Sequence, residues 1–198
     1  MWLLKAQEDR TGGFALKAQN VFSDSDIDYL NWFVQNHLQM QPGKTGSVGG
    51  EGELSEHRTS EVAWLPATDE RMRYYYEKIA KHIDKANADY YQMSLTGFYD
   101  IQYTVYPETT QGKYDWHTDT SDYFSTGNFT RKLSAVVALN DDFEGGVFET
   151  LDGTYPRSYD LKKGDIILFP SFVLHRVTPV TKGTRRSLVI WVMGPNFK

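Results

Sequence analysis

The feature that most constrains this chain is the texture of its second half, where short apolar segments and turn signals alternate from Gly97 onward. Segments near 99–106, 114–119, 132–139, 146–150, 155–160, 165–169, 174–180 and 186–193 read as strands, being rich in β-branched and aromatic residues. Between them stand Asp141-Asp142, Glu144-Gly145-Gly146, Asp152-Gly153, Lys163-Gly164-Asp165 and Lys182-Gly183. Such residues reverse a chain because glycine tolerates positive φ and Asp hydrogen-bonds its own backbone. Short strands at this spacing predict a barrel-like double sheet, a jelly roll.

The first half reads differently. From Ser25 to Leu38, the residues Ile27, Leu30, Trp32, Phe33, Val34 and Leu38 form an apolar stripe at helical spacing, with Ser23 and Asp24 as caps. A second stripe, Met72, Tyr75, Tyr76, Ile79 and Ile83, predicts a helix over 69–88. Both read as packing helices. Between them, 41–53 is glycine-rich and lacks apolar anchors, which predicts a mobile loop and a candidate lid. Gly43-Lys44-Thr45 does not complete a phosphate-binding loop, because Leu38 stands where that motif needs glycine. A chain of 198 residues supports a substantial core. The expected organisation is a single catalytic domain over 1–198. Residues 1–96 would be a helical support region and 97–198 the β core.

Composition removes whole classes of function. There is no cysteine, which excludes disulfides, zinc–thiolate sites, iron–sulfur clusters and thiol catalysis. A metal site must therefore use His, Asp and Glu. Acidic residues outnumber basic ones, 26 to 21, so no nucleic-acid partner is expected. No apolar run approaches the roughly 18 residues of a membrane span. The opening MWLLKAQEDRTGG does not read as a signal peptide, so no membrane partner is expected and a cytoplasmic setting is the default. On that basis the sequon at Asn128 carries no meaning.

One constellation carries chemistry. In Tyr114-Asp115-Trp116-His117-Thr118-Asp119, alternate residues of a strand share a face, so His117 can bind an ion together with either neighbouring carboxylate. Spacing alone does not choose between Asp115 and Asp119. The best third ligand is His175, in the run FPSFVLHRV. Two imidazoles and one carboxylate leave coordination positions open, which suits Fe(II), whereas a structural zinc site would be closed by four ligands. Further on, Arg185 and Ser187 share a strand face and can grip one carboxylate through a guanidinium fork and a hydroxyl. Arg186 has the opposite parity and reads as a surface charge. His37, His57 and His82 read as surface groups.

Taken together, these motifs resemble the Fe(II)/2-oxoglutarate-dependent dioxygenases, and within them the prolyl-4-hydroxylase-like branch of short bacterial and phage type. The resemblance runs from Asp100 to Trp191 through Tyr114-x-x-His117-x-Asp119, DDFEGGVF, Gly164-Asp165, Leu168-Phe169-Pro170-Ser171 and the stretch from His175 to Arg185. It continues more weakly upstream through Arg58-Thr59-Ser60-Glu61-Val62-Ala63-Trp64-Leu65.

The resemblance implies a double-stranded β-helix with N-terminal packing helices. It implies that His117, Asp119 and His175 bind Fe(II), which leaves Asp115 as a neighbour of the site, a hydrogen-bond partner or substrate contact. Arg185, helped by Ser187, would bind 2-oxoglutarate, with Tyr106 and Tyr114 lining the co-substrate pocket. The implied reaction uses O₂ to hydroxylate a C–H bond, first of all in a peptidyl, prolyl-type substrate, and releases succinate and CO₂. Ascorbate would support activity. Arginine at position 185, where animal and plant prolyl hydroxylases often have lysine, loosens the inference of a prolyl substrate. Trp191 stands where nucleic-acid demethylases carry a second arginine, which argues against nucleobase repair. The alternatives are a hydroxylase of a free amino acid or other small molecule, a catalytically silent cupin-like metal-binding sensor, and a jelly roll without metal.

Overall fold

In the computed structural model, residues 14–45, 53–120 and 129–196 are described. Most of the glycine-rich stretch expected as a mobile loop, 46–52, lies outside the described residues, as does the sequon residue Asn128.

The first helix, α1, spans Asp24–His37, and its start is set by Ser23. The Ser23 hydroxyl accepts the Asp26 N–H at 3.2 Å while the Asp26 carboxylate accepts the Ser23 N–H at 2.9 Å. This reciprocal box satisfies donors that a helix N-terminus otherwise leaves unpaired. Ile27, Leu30, Phe33 and Val34 are buried, whereas Trp32, expected in the same stripe, lies 49% exposed against Tyr29 and His37. The second helix, α2, spans Arg73–Ala86 after a 3₁₀ turn over Glu70–Met72, and buries Tyr75, Ile79 and Ile83. It runs on into a π-helical turn at Asn87–Tyr91. His37 and His57 are exposed as expected. His82 is half-buried instead, because its Nδ1 lies 2.8 Å from the Lys78 carbonyl one turn earlier. No helix among the described residues is long and apolar enough to cross a membrane.

The strands that build the site are β1 (Leu16–Ala18), β2 (Arg58–Thr59), β3 (Glu61–Leu65), β4 (Ile101–Pro107), β5 (Lys113–His117) and β6 (Phe129–Ala138). They are followed by β7 (Phe148–Leu151), β8 (Arg157–Tyr159), β9 (Ile166–Pro170), β10 (Leu174–Val177) and β11 (Thr184–Pro195). A major sheet runs in the order β1-β9-β6-β11-β4-β3 and ends on the short strand Gln41–Pro42, with Gly97–Phe98 also pairing to β11. A minor sheet runs β8-β7-β10-β5-β2. These two antiparallel sheets, with helices on one side, are the expected double-stranded β-helix.

Alternation along β6 shows how the layers divide. Leu133, Ala135 and Val137 face the cluster that includes Ile27, Phe33, Tyr75 and Ile79 of the helices. Val136 faces the other way, into a cluster with Phe148, Phe169 and Val177. Fully burying such a side chain contributes about 1.5–3 kcal/mol, so both faces of the major sheet are committed to the core. The pocket lies between the sheets, on the second face. Two of the strand ends that differ from expectation bear on the site. β5 stops at His117 rather than 119, and the segment expected over 174–180 stops at Val177 and resumes at Val180–Lys182, opposite Glu144–Gly145.

Candidate metal centre

His117 closes β5 and His175 lies on β10, in direct register across the minor sheet. Their ring centroids are 4.1 Å apart. Each ring is oriented by its own chain: His117 Nδ1 lies 2.7 Å from the Asp115 carbonyl, and His175 Nδ1 lies 2.9 Å from the Val173 carbonyl. A carbonyl only accepts, so both Nδ1 atoms carry the proton and both Nε2 atoms present a lone pair to the pocket.

Asp119 stands beyond the strand end and reaches the same point. Its N–H donates to the Ser171 carbonyl at 2.8 Å, and its Oδ2 accepts the Ser134 hydroxyl at 2.7 Å. The carboxylate lies 3.8 Å from His117 Nε2 and 3.5 Å from His175 Nε2. Burial, reinforced by the neighbouring His175, holds the His117 imidazole down at about 4. Burial pushes the Asp119 carboxyl up, but the two imidazoles and the Ser134 hydroxyl outweigh it and hold the group below its ordinary value. A neutral imidazole and an ionised carboxylate are the forms that bind metal. His117, Asp119 and His175 bring one ligand atom each to within 4.8 Å of the others, and two imidazoles with one carboxylate is the donor set that fits non-haem Fe(II).

Asp115, by spacing as good a candidate as Asp119, faces elsewhere. Register along β5 and β10 passes from His117↔His175 to Tyr114↔Val177, so β5 carries an extra residue. Such a bulge re-aims side chains locally. Tyr114 and His117 therefore share a face, with rings stacked at 3.5 Å, while Asp115 turns out to Lys113 at 3.0 Å and to His57 at 3.4 Å. Its carboxylate touches no ligand, and only its backbone carbonyl serves the site.

The opposite end of the pocket is built on the major sheet. Arg185 on β11 is in register with Tyr106 on β4, and both are buried. Its Nη1 donates to Ser187 Oγ at 3.1 Å and its guanidinium lies 5.3 Å from the Tyr106 ring centre. Burial draws the Arg185 pKa below its ordinary value, yet a guanidinium stays charged near neutral pH. Gly146 lies over the arginine stem: a Cβ there would fall 3.0 Å from Arg185 Cδ, and its φ of +57° also favours glycine. Arg186 is half-buried rather than a free surface charge, and its backbone N–H donates to Asn140.

All the expected site residues, His117, Asp119, His175, Arg185, Ser187, Tyr106 and Tyr114, line one pocket that is partly open to solvent. Val136, Phe148, Val177 and Val189 supply its apolar wall. Sequence reasoning missed three further polar residues there, Gln102, Arg58 and the indole of Trp191. It also missed Ser134 and Ser171, which hold Asp119. Ser134 lies inside the long strand β6 and Ser171 in the turn after β9, and neither gives a signal until its partner segment is known. Arg58 sat in a recognised run but had no visible role.

The family model described as the 2OG-Fe(II) oxygenase superfamily matches residues 101–193, which contain the whole triad and Arg185. Over 75 residues the chain is 43% identical to a PKHD-type hydroxylase of Idiomarina loihiensis, covering 36% of this chain and 33% of the relative. Over 86 residues it is 41% identical to a PKHD-type hydroxylase of a Synechococcus strain, covering 41% and 37%. The match thus spans little more than a third of these relatives' length. Among solved structures, the chain superposes on a prolyl hydroxylase of Trichoplax adhaerens, in complex with a hypoxia-inducible-factor peptide fragment. That match has a TM-score of 0.72 at 16% identity, over 92% of this chain and 84% of that one. A viral collagen prolyl hydroxylase of Paramecium bursaria Chlorella virus-1 gives 0.67 at 23% identity, over 92% and 97%. At those identities the likeness establishes the fold.

Proposed function

We propose that this protein is an Fe(II)- and 2-oxoglutarate-dependent dioxygenase that hydroxylates a C–H bond of a prolyl-type, peptidyl substrate. One observation carries the reading: a His117–Asp119–His175 triad, with Asp119 and His175 buried and His117 nearly so, faces a buried arginine across one pocket. His117, Asp119 and His175 would hold iron. Arg185 would take the distal carboxylate of 2-oxoglutarate in its fork, with Ser187 as a second donor and Tyr106 backing the guanidinium. Iron bound there supplies the oxidising chemistry. One oxygen atom of O₂ ends in succinate, formed from 2-oxoglutarate with loss of CO₂, and the other ends in the substrate hydroxyl. The protein's task is to orient and to exclude water, which Val136, Phe148, Val177 and Val189 serve. No general acid–base pair is required.

Incubating the protein with Fe(II), 2-oxoglutarate and ascorbate tests this directly. Succinate forms even without substrate, and a proline-containing peptide gains the mass of one oxygen. Absence of succinate with every substrate tried would replace the oxygenase with a metal-binding sensor. Turnover of free amino acids, with every peptide inert, would keep the chemistry and replace the peptide.

A further inference from the structure

Arg58 is a buried charge in the pocket that the proposed chemistry leaves unused. It opens β2, is 8% exposed and lines the pocket beside Tyr114 and His117. Its guanidinium is fixed from several directions. Nε donates to Ser60 Oγ at 2.8 Å and Nη1 to the Lys44 carbonyl at 3.2 Å. Its central carbon lies 4.8 Å from the Tyr114 ring centre, and that ring in turn stacks on His117. Gly43 packs so closely that a Cβ there would fall 2.7 Å from Arg58 Nε. Against this, Nη2 is buried with no acceptor, and among the described residues no carboxylate pairs with the group.

A guanidinium withdrawn from water and left without a counter-ion is costly, and an arriving anion offsets that cost. The planar fork matches a carboxylate in particular. Arg185 already accounts for the carboxylate of 2-oxoglutarate. Trp191 Nε1, a second buried donor without an acceptor, lines the same pocket and suits another oxygen of the same ligand.

We infer that Arg58 is a specificity-determining residue whose Nη2 donates to a free carboxylate on the substrate, so that the hydroxylated residue is a free amino acid or stands at a peptide's C-terminus. This rests on the oxygenase reading and narrows it, since an internal prolyl residue has no carboxylate to offer.

The test is equilibrium binding under anaerobic conditions, with the full chain loaded with Mn(II) and 2-oxoglutarate. The probes are the common free amino acids, with proline first, and the tripeptide Gly-Gly-Pro, each as acid and as amide. At least one acid is expected to bind about 10-fold or more tighter than its amide, the size of a hydrogen bond between charged groups. Which acid binds tightest separates the free amino acid from the peptide terminus. Arg58→Met removes the gap, and Arg58→Lys, which keeps charge but loses the fork, restores part of it. The inference is overturned if no acid binds, if acid and amide bind equally, or if the gap survives in Arg58→Met. It is also overturned if Arg58→Met weakens 2-oxoglutarate by the same factor, which would assign the arginine to the co-substrate. Should Arg58→Met not fold, the acid–amide comparison on the wild-type protein decides alone. Binding needs no turnover, so a failure of the oxygenase reading appears separately, as missing succinate.

Discussion

The two ends of the pocket rest on different kinds of strand. At the carboxylate end, β11 is hydrogen-bonded on both sides, to β4 and to β6, and its pairing with β4 is unbroken from Thr184 to Val189. The unbroken pairing with β4 makes side chains alternate strictly, so Arg185 and Ser187 point inward together. At the metal end, β5 is short, carries a bulge and stops before the last ligand. There the placement of each group depends on contacts from outside the strand: the Ser171 carbonyl for Asp119, the Ser134 hydroxyl for its carboxylate, and Lys113 for Asp115. A regular ladder fixes direction by geometry. An interrupted one needs individual partners at each residue.

Substitutions can sharpen this contrast. The largest effect is expected for Asp119→Ala: Mn(II) at about a hundred times its Kd stabilises the wild-type protein by roughly 2.7 kcal/mol, and this gain disappears in a melting experiment along with succinate formation. Arg185→Leu breaks the other end alone, weakening 2-oxoglutarate by about 2–5 kcal/mol in calorimetry while the stabilisation by Mn(II) persists. Ser134→Ala removes one partner of the metal end without touching a ligand, and a metal titration should show a loss of about 10-fold. Asp115→Ala, which deletes a half-exposed ion pair, is expected to change melting-derived stability by less than about 1 kcal/mol and to leave metal affinity intact. If Asp115→Ala lost the metal and Asp119→Ala kept it, the bulge would have been assigned the wrong direction.

The same contrast governs how much could be read from the sequence. The cap at Ser23, the stripe of Ile27, Leu30, Phe33 and Val34, and the inward pairing of Arg185 with Ser187 depend on local periodicity, and were legible. The choice between Asp115 and Asp119 was not, because a bulge is a property of two strands and neither alone encodes it. Resemblance to known oxygenases selected Asp119. The geometry reaches that residue independently, by turning Asp115 away. Trp32 was expected in that stripe, yet at 3.6 residues per turn it falls on the side of α1 away from Ile27, Leu30 and Val34, and it stays half in water. Arg58 was hidden for the opposite reason: an arginine at a strand start reads as solvated until the partner strand, Gly43 and Tyr114 close around it.

The turn after β9 has a mechanical consequence. The Ser171 carbonyl accepts N–H groups from both Asp119 and Thr120, its hydroxyl meets Ser134 at 2.9 Å, and the Val173 carbonyl orients His175. Two of the three ligands are therefore bolted to one short mount, while His117 takes its bearing from β5. A substitution that reshapes this turn is therefore expected to disturb two ligands at once, whereas one confined to the Asp115 carbonyl disturbs the bearing of His117 alone.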